Sequence, residues 1–177
     1  MSETAARHKA ESPKSLYFAV ITCSSSRYRE FSETGRLNDP SGDFLVKVLE
    51  SKGHRITLRR IVSDDKSQIQ RLVLRALNSR KTDAIVTSGG TGISPTDVTI
   101  EAVQPLLDRE IPGFGELFRT ISYDKIGSAA VLTRAIAGIA KGKVIFCLPG
   151  SPQSVSLALE ELILPEAGHI LKHAREK

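Results

Sequence analysis

The chain has 177 residues and a formal net charge of +5, from 25 basic and 20 acidic side chains. This length fits one domain with a substantial core, while scattered basic residues, six Phe, three Tyr and no Trp argue against nucleic-acid binding. No apolar run approaches the roughly 20 residues that span a bilayer, and the first fifteen residues lack the apolar centre of a signal peptide. We therefore expect a cytoplasmic protein with neither a membrane nor a nucleic-acid partner.

The first 14 residues are charged, small and without period, which predicts a flexible or oligomer-contacting arm before a single domain of residues 15–177. The two cysteines, Cys23 and Cys147, each close an apolar, strand-like run. Neither belongs to a His or Cys cluster with metal-site spacing. We expect both to be buried, reduced thiols.

In the first half of the chain, strands alternate with amphipathic helices. The predicted strands are residues 16–23, 54–62 and 83–87, all short and apolar. A helix entered through Asp39-Pro40-Ser41-Gly42 and ended by Gly53 separates the first two strands. A second helix, with apolar residues spaced three and four apart, begins after Ser63-Asp64-Asp65.

The second half continues this alternation. Helices are predicted over residues 96–107 and 114–121, a further strand over 144–148, and a closing helix after Pro152. Residues 128–139 are compatible with either helix or strand. The spacing predicts an α/β protein with three αβα layers and a mostly parallel, doubly wound sheet. Ligands of such sheets bind beyond the carboxyl ends of the strands.

A glycine loop follows the strand at residues 83–87, in the sequence Thr87-Ser88-Gly89-Gly90-Thr91-Gly92-Ile93-Ser94-Pro95-Thr96-Asp97. Glycines allow a ligand to approach the backbone amides, and a helix N-terminus attracts phosphate or carboxylate groups. Asp97 is expected in the first helical turn, either as a site acid or simply as a residue that stabilises the helix. The loop lacks the spacing of the Walker and dinucleotide-binding motifs.

Polar segments also follow the other predicted strands. They are Ser24-Ser25-Ser26-Arg27, Ser63-Asp64-Asp65 and Pro149-Gly150-Ser151-Pro152. Each one alone is explained by an ordinary turn or helix cap. Because the carboxyl ends of parallel strands meet at one edge of the sheet, we expect these segments and the glycine loop to form one site.

Together these motifs resemble the MoaB/MogA family of molybdenum-cofactor biosynthesis, over about residues 16–170. The resemblance rests on T-x-S-S-S-R, S-D-D, S-G-G-T-G-x-S-P-x-D-V-T, I-P-G-F-G-E and L-P-G-S-P. It implies a Rossmann-like molybdopterin adenylyltransferase that transfers AMP from Mg-ATP to the terminal phosphate of molybdopterin and releases pyrophosphate. The alternatives are a non-catalytic molybdopterin-binding or assembly protein, and a scaffold module such as that of gephyrin.

The resemblance also implies roles for individual residues. Asp97 matches the family's motif acid and Asp64 a second one, with the adjacent Asp65 as its rival. Both acids are expected to be catalytic and to position Mg²⁺ or the reacting phosphate. The expected substrate-binding residues contact anionic groups, line the phosphate loop or shape the opposite wall: Ser24, Arg27, Ser88, Gly89, Gly90, Thr91, Gly92, Pro149, Gly150 and Ser151. Family members generally assemble as trimers or hexamers, and the product is expected to pass to a MoeA-type insertase.

Overall fold

The computed structural model describes residues 11–176. The strands are β1 (Tyr17–Cys23), β2 (Arg55–Val62), β3 (Ala84–Ser88), β4 (Arg109–Glu110), β5 (Ile136–Ala140) and β6 (Lys143–Leu148). The α-helices are α1 (Ser25–Thr34), α2 (Pro40–Ser51), α3 (Lys66–Asn78), α4 (Thr99–Val103), α5 (Pro112–Ile126), α6 (Pro152–Ala158) and α7 (Leu164–Arg175). Short 3₁₀ turns occupy Gln104–Leu106 and Gly127–Leu132, and a π-helical turn, Leu159–Ile163, joins α6 to α7.

Within the described residues the strands form one sheet in the order β2-β1-β3-β6-β5-β4. The pairs β1–β2, β1–β3 and β3–β6 are parallel, whereas β5 and β4 add an antiparallel edge. The predicted α/β class and mostly parallel sheet are therefore confirmed. The sequence left residues 128–139 open between helix and strand. They contain most of a 3₁₀ turn and most of β5.

Side chains of the central strands alternate between two apolar layers. Phe18 and Val20 of β1 pack into a core formed with α2, α5, α6 and α7, whereas Ala19 and Ile21 pack into a core formed with α3 and α4. This is the period of two that a strand imposes when both of its faces are covered. Each large apolar side chain that is fully buried stabilises the fold by roughly 1.5–3 kcal/mol.

The sheet has a topological switch point beside β1. The chain passes from β1 to β2 on one side and then returns to place β3 on the other side. Helices that follow these strands lie on opposite faces, so a crevice opens between the carboxyl ends of β1 and β3. Thr22 pairs with Ser88 at this end of the two strands. The first polar segment and the glycine loop therefore begin side by side.

Helix α1 was not predicted, because its sequence carries no apolar stripe and none of its residues is buried. Ser24 begins it as the N-cap, and Gly35 ends it in the left-handed region with φ 68°. The segment Ser24-Ser25-Ser26-Arg27 is thus a helix start rather than a solvated turn.

The prediction that Asp97 lies in a first helical turn was wrong. Helix α4 begins at Thr99, and Asp97 belongs to the loop before it. The helix is also shorter than predicted, since Pro105 has no amide hydrogen to continue it and the chain tightens into a 3₁₀ turn. The closing helix is likewise interrupted by the π-helical turn, and Pro165 is the second residue of the helix that follows it.

Residues 1–10 of the predicted arm lie outside the described range. The next residues lie against α7, where Glu11 Oε2 accepts a hydrogen bond from Lys172 Nζ at 2.6 Å. Among residues 11–176 no helix combines the length and apolar content needed to cross a bilayer.

Candidate functional site

A cleft of about 330 Å³ opens at the carboxyl ends of β1, β2, β3 and β6. Hydroxyl, carboxylate and backbone groups dominate its lining, which consists of Thr22, Cys23, Ser24, Ser26, Arg27, Asp39, Ser41, Asp64, Ser88, Gly89, Gly90, Asp97 and Gly150. Larger cavities of about 660 and 690 Å³ lie beside α7 and between α5 and α6. The smaller cleft is the stronger candidate because it lies at the switch point and collects charged and polar groups.

Most of the predicted site residues meet in this cleft, from all four strand ends. Four of them do not line it: Thr91, Gly92, Pro149 and Ser151. Thr91 is buried, with 2% of its surface exposed. Ser151 serves as the N-cap of α6, where its Oγ accepts a hydrogen bond from Ser154 N at 3.2 Å.

Three glycines allow the strand ends to approach one another closely. Gly89 has φ 96°, and a Cβ there would collide with the carbonyl oxygen of Cys23. Gly90 has φ 62°, and its Cβ would lie 2.9 Å from Asp64 Oδ1, while a Cβ on Gly150 would lie 3.0 Å from the Cα of Gly89. The sequence suggested that these glycines admit a ligand. The structure shows that glycine is needed at these positions first of all because the cleft floor has no room for a Cβ.

The glycine loop presents unpaired backbone donors. The amide groups of Gly90, Thr91, Gly92 and Ile93 have no hydrogen-bond acceptor within residues 11–176. Successive amides of this kind attract anions, because each unpaired N–H carries a partial positive charge that phosphate oxygens can satisfy. Gly90 lines the cleft itself, and residues 91–93 lie in the loop between Gly90 and Asp97, which both line it. The loop therefore has the donors that a phosphate group at the cleft needs.

Ser88 adds a side-chain group to this floor. Its Oγ is fully buried, borders the cleft and has no hydrogen-bond partner among the described residues. A buried hydroxyl without a partner loses roughly 1–3 kcal/mol relative to a satisfied one. A ligand atom in the cleft would remove that cost.

Asp64 and Asp65 have different positions and partners. Asp64 lines the cleft, and its Oδ2 accepts hydrogen bonds from Ser25 N at 2.8 Å and Ser25 Oγ at 2.9 Å. Asp65 is the N-cap of α3, where Oδ1 accepts from Gln68 N at 2.8 Å. Hydrogen bonds from Ser67 and Gln68 hold the pKa of Asp65 below its ordinary value. The geometry therefore favours Asp64 as the site acid.

Asp97 lines the cleft from the far end of the glycine loop. Its Oδ2 accepts a hydrogen bond from Ser94 N at 2.9 Å, and a Cβ on Gly92 would lie only 2.6 Å from the same oxygen. In both Asp64 and Asp97, the Oδ1 atom has no donor within residues 11–176. Each carboxylate is thus anchored by one oxygen and leaves the other for a ligand.

Helix α1 begins at the rim of the cleft. Ser24 Oγ lies 3.5 Å from Arg27 N and 3.2 Å from Ser26 Oγ, which fixes the first turn. Arg27 lines the cleft and donates from Nη1 to the carbonyl of Asn38 at 2.8 Å. Arg27 therefore contributes a positive charge to the cleft lining.

From the sequence, Asp39 was predicted only as part of a helix entrance. It is buried in the cleft wall, where Oδ2 accepts from Thr22 Oγ1 at 2.6 Å and from Arg59 Nη2 at 2.8 Å. Ser41 follows it and donates to the carbonyl of Gly150 at 2.8 Å. An acid directly before Pro40 is typical of an N-cap, and this much could be read from the sequence. Its contacts with β1 and β2 could be seen only in the folded structure.

Cys23 lines the cleft but lacks the properties of a nucleophile. Burial raises its pKa to about 12, so the thiol stays protonated near neutral pH. Cys147 is fully buried and its pKa is raised to about 12 for the same reason. Both cysteines are free, as expected from the sequence.

The donor set suits a magnesium ion that arrives with a phosphate ligand. Within residues 11–176 no group of three or more His, Cys, Asp or Glu side chains is arranged to hold a metal. Magnesium bound with substrate phosphates commonly uses only one or two protein carboxylates. The unbound Oδ1 atoms of Asp64 and Asp97 meet that requirement.

Comparison with known proteins identifies the family of the chain. Residues 19–169 match the family model described as a probable molybdopterin binding domain. The chain is 49% identical to molybdenum cofactor biosynthesis protein B of Bacillus cereus, with 92% of this chain and 93% of that protein covered. It is 44% identical to the molybdopterin adenylyltransferase of Pyrococcus furiosus, with 96% of this chain and 97% of that protein covered.

A solved structure shows the same fold. The crystal structure of the tungsten cofactor synthesizing protein MoaB from Pyrococcus furiosus superposes with a TM-score of 0.81 at 43% identity. The match covers 93% of this chain and 99% of that one. With a family match over most of its length, the chain belongs to the molybdopterin-binding family that includes MoaB.

Proposed function

We propose that the protein is a molybdopterin adenylyltransferase, which transfers AMP from ATP to the terminal phosphate of molybdopterin. The observation that carries the proposal is one cleft with two anchored carboxylates, Asp64 and Asp97, beside a loop with four amides that have no acceptor among residues 11–176. The amides suit phosphate oxygens, and the carboxylates suit the cation that accompanies a triphosphate. Relatives named for this activity or for cofactor biosynthesis support the same conclusion.

In the proposed reaction, an oxygen of the molybdopterin phosphate attacks the α-phosphorus of ATP. A new phosphorus–oxygen bond forms there, and the bond from that phosphorus to the β-phosphate oxygen breaks, so pyrophosphate leaves with the bonding electrons. The attacking phosphate is already ionised near neutral pH and needs no strong general base. The main requirement is to hold two anionic substrates in line despite their repulsion.

The chain's own groups meet that requirement. The loop amides and Arg27 stabilise negative charge on the phosphates, and Ser88 Oγ offers a buried hydroxyl to the same ligand. Asp64 and Asp97 would hold Mg²⁺, which neutralises phosphate charge when bound. The anchoring of each acid by a backbone amide fixes its orientation before substrate arrives.

We also propose that the protein forms a homo-oligomer, a trimer or a hexamer. An apolar surface, named here the α5 patch, lies on α5 and the 3₁₀ turn after it. Its members are large and exposed: Leu117 at 55%, Tyr123 at 62%, Ile126 at 55%, Val131 at 81% and Leu132 at 55%. Tyr123 and Val131 line the same pocket, and exposed apolar side chains that lie together are typical of a protein–protein contact. A second copy of the chain is the occupant we propose.

The family assignment also motivates two proposals about the cell. We propose that the protein acts in the cytoplasm. We further propose that its adenylylated product passes to an insertase of the MoeA type. Both are consequences of the proposed reaction, because an activated pterin must reach the protein that inserts the metal.

Product formation tests the proposed activity directly. The protein is incubated with molybdopterin and Mg-ATP, and both adenylyl-molybdopterin and pyrophosphate are measured. We expect equal amounts of the two products. Molybdopterin binding without either product would instead identify a binding or assembly protein, the alternative that the sequence left open.

A further inference from the structure

Arg134 lies between the 3₁₀ turn and β5, outside the cleft, yet it contacts the glycine loop. Its Nε donates to the carbonyl of Thr91 at 2.9 Å, and its Nη2 donates to the carbonyl of Gly92 at 2.6 Å. Its Nη1 donates to Glu101 Oε1 of α4 at 2.7 Å. The planar guanidinium presents these donors in a fixed fork, so all three contacts define one orientation of the loop.

The two carbonyl contacts determine where the next amides point. In a trans peptide the C=O of one residue and the N–H of the following residue point in opposite directions. No cis peptide occurs in the described chain. When Arg134 holds the carbonyls of Thr91 and Gly92, the amides of Gly92 and Ile93 must face away from it. These are two of the four unpaired amides of the loop.

Apart from Arg134, the loop is held at its flanks, by the hydrogen bonds from Thr99 N to the carbonyl of Gly90 and from Ser94 N to Asp97 Oδ2. Within residues 11–176, Arg134 makes the only hydrogen bonds to Thr91, Gly92 or Ile93. Gly92 has no side chain that could restrict its backbone, and Ile93 is 69% exposed. The orientation of these peptides therefore depends on an arginine more than 40 residues away, at separations of 42 and 43.

Glu101 neutralises the charge of Arg134 and leaves its hydrogen bonds to the loop in place. The ion pair places a carboxylate 2.7 Å from the guanidinium, and the hydrogen bond from Arg134 holds the pKa of Glu101 below its ordinary value. The pair is therefore close to neutral as a unit, and its long-range attraction for a phosphate is small. What Arg134 contributes is direction, through two bonds to carbonyl oxygens.

We propose that Arg134 is a positioning residue, which turns the amides of Gly92 and Ile93 toward the anionic group of the substrate. The inference rests on the proposed function in taking that group to be a phosphate of ATP or molybdopterin. Arg134 does not line the cleft, and in this proposal it nevertheless determines how tightly the site binds an anion.

The test uses pyrophosphate binding, followed by calorimetry and by the amide NMR signals of Gly92 and Ile93. In Arg134→Met we expect affinity to fall about tenfold or more, since two hydrogen bonds to a charged ligand are misdirected. Arg134→Lys should recover part of the affinity, because an ammonium can reach one carbonyl but lacks the fork. Glu101→Gln keeps both carbonyl contacts and should bind nearly as the wild type does.

Arg175→Met is the matched control for general destabilisation. Arg175 also donates to a backbone carbonyl, that of Gly142, and pairs with a carboxylate, Asp83, but contacts no part of the loop. We expect it to lower the melting temperature as much as Arg134→Met does, while pyrophosphate affinity stays unchanged. An Arg134→Met protein that binds pyrophosphate within about twofold of the wild type overturns the inference, as does an equal loss in Arg175→Met.

The outcomes separate this inference from the proposed function. If the wild type transfers AMP and Arg134→Met retains pyrophosphate affinity, the activity stands and the role of Arg134 is wrong. If pyrophosphate shifts the two amide signals only when Arg134 is present, the inference stands even where no AMP transfer is found. A wild type that does not bind pyrophosphate overturns the inference.

Discussion

At the scale of single residues, two adjacent acids have separate tasks. Asp64 points one oxygen into the helix start of α1 and lines the cleft, whereas Asp65 caps α3. The sequence could not choose between them, because either aspartate of the Ser-Asp-Asp motif could be the site acid. The choice depends on which side chain meets Ser25, a residue 39 positions away.

This division predicts opposite consequences for two substitutions. Asp65→Ala should reduce stability by roughly 0.5–2 kcal/mol through loss of the helix cap, with AMP transfer retained. Asp64→Ala should instead lower turnover by about 100-fold or more, because a charged group in the cleft is lost. Denaturant unfolding and initial rates measured on both proteins check the pair. Loss of turnover in Asp65→Ala alone would reverse the assignment.

The glycines make a second prediction at this scale. Gly89→Ala should cost about 1–3 kcal/mol or more, since φ 96° is unfavourable for alanine and its Cβ meets the Cys23 carbonyl. Gly113 in α5 is the control, because a Cβ there meets nothing within 4 Å. Gly113→Ala should change stability by no more than about 1 kcal/mol. Equal unfolding midpoints for the two variants would contradict the packing account of the cleft floor.

At the scale of elements, the sequence predicted best where an apolar period was strong. Ile69, Val73, Ala76 and Leu77 form the buried face of α3, and their spacing indicated the helix correctly. Helix α1 buries nothing and was missed for that reason. The start of α4 was misplaced because an acid before an apolar run is typical of a first helical turn. Asp97 instead accepts a hydrogen bond from Ser94 N within the loop.

The residue directly before β2, His54, makes a titratable contact with the segment before β1. His54 Nδ1 accepts a hydrogen bond from Leu16 N at 3.1 Å, and burial lowers the pKa of His54 below 6.5. The folded state therefore binds a proton less readily than the unfolded state. This contribution to stability is present above about pH 6.5 and is lost as the pH falls through the lowered pKa.

His54→Asn isolates this effect, because the asparagine Oδ1 can accept the same hydrogen bond without titrating. We expect the wild type to lose more stability than His54→Asn between about pH 7 and pH 5, measured by urea unfolding. Parallel pH profiles for the two proteins would show that His54 does not contribute in this range.

At the scale of the whole molecule, four strand ends converge on one cleft, as the alternation of strands and helices predicted. The antiparallel edge of β5 and β4 escaped prediction, since β4 has only two residues, Arg109 and Glu110, both exposed. Arg134 also escaped it. Its role depends on the carbonyl oxygens of Thr91 and Gly92, and backbone oxygens leave no mark in a sequence.

The α5 patch makes a prediction at this scale. Light scattering at micromolar concentration should give the mass of a trimer or a hexamer. Val131→Glu places a charge at the most exposed member of the patch and should shift the protein toward monomer. Leu74→Glu, at an exposed position of α3, is a control outside the patch. A monomeric wild type would contradict the oligomer proposal.

In the proposed reaction, Asp64 and Asp97 act in the transfer of AMP rather than in binding the pterin. The most direct test measures turnover and molybdopterin affinity together in Asp64→Asn and Asp97→Asn, which keep the shape of each side chain and remove its charge. We predict that turnover with Mg-ATP falls by about 100-fold or more in both variants, while molybdopterin affinity stays within about threefold of the wild type. Turnover that persists in both variants, or that falls only in proportion to lost molybdopterin binding, would contradict the account.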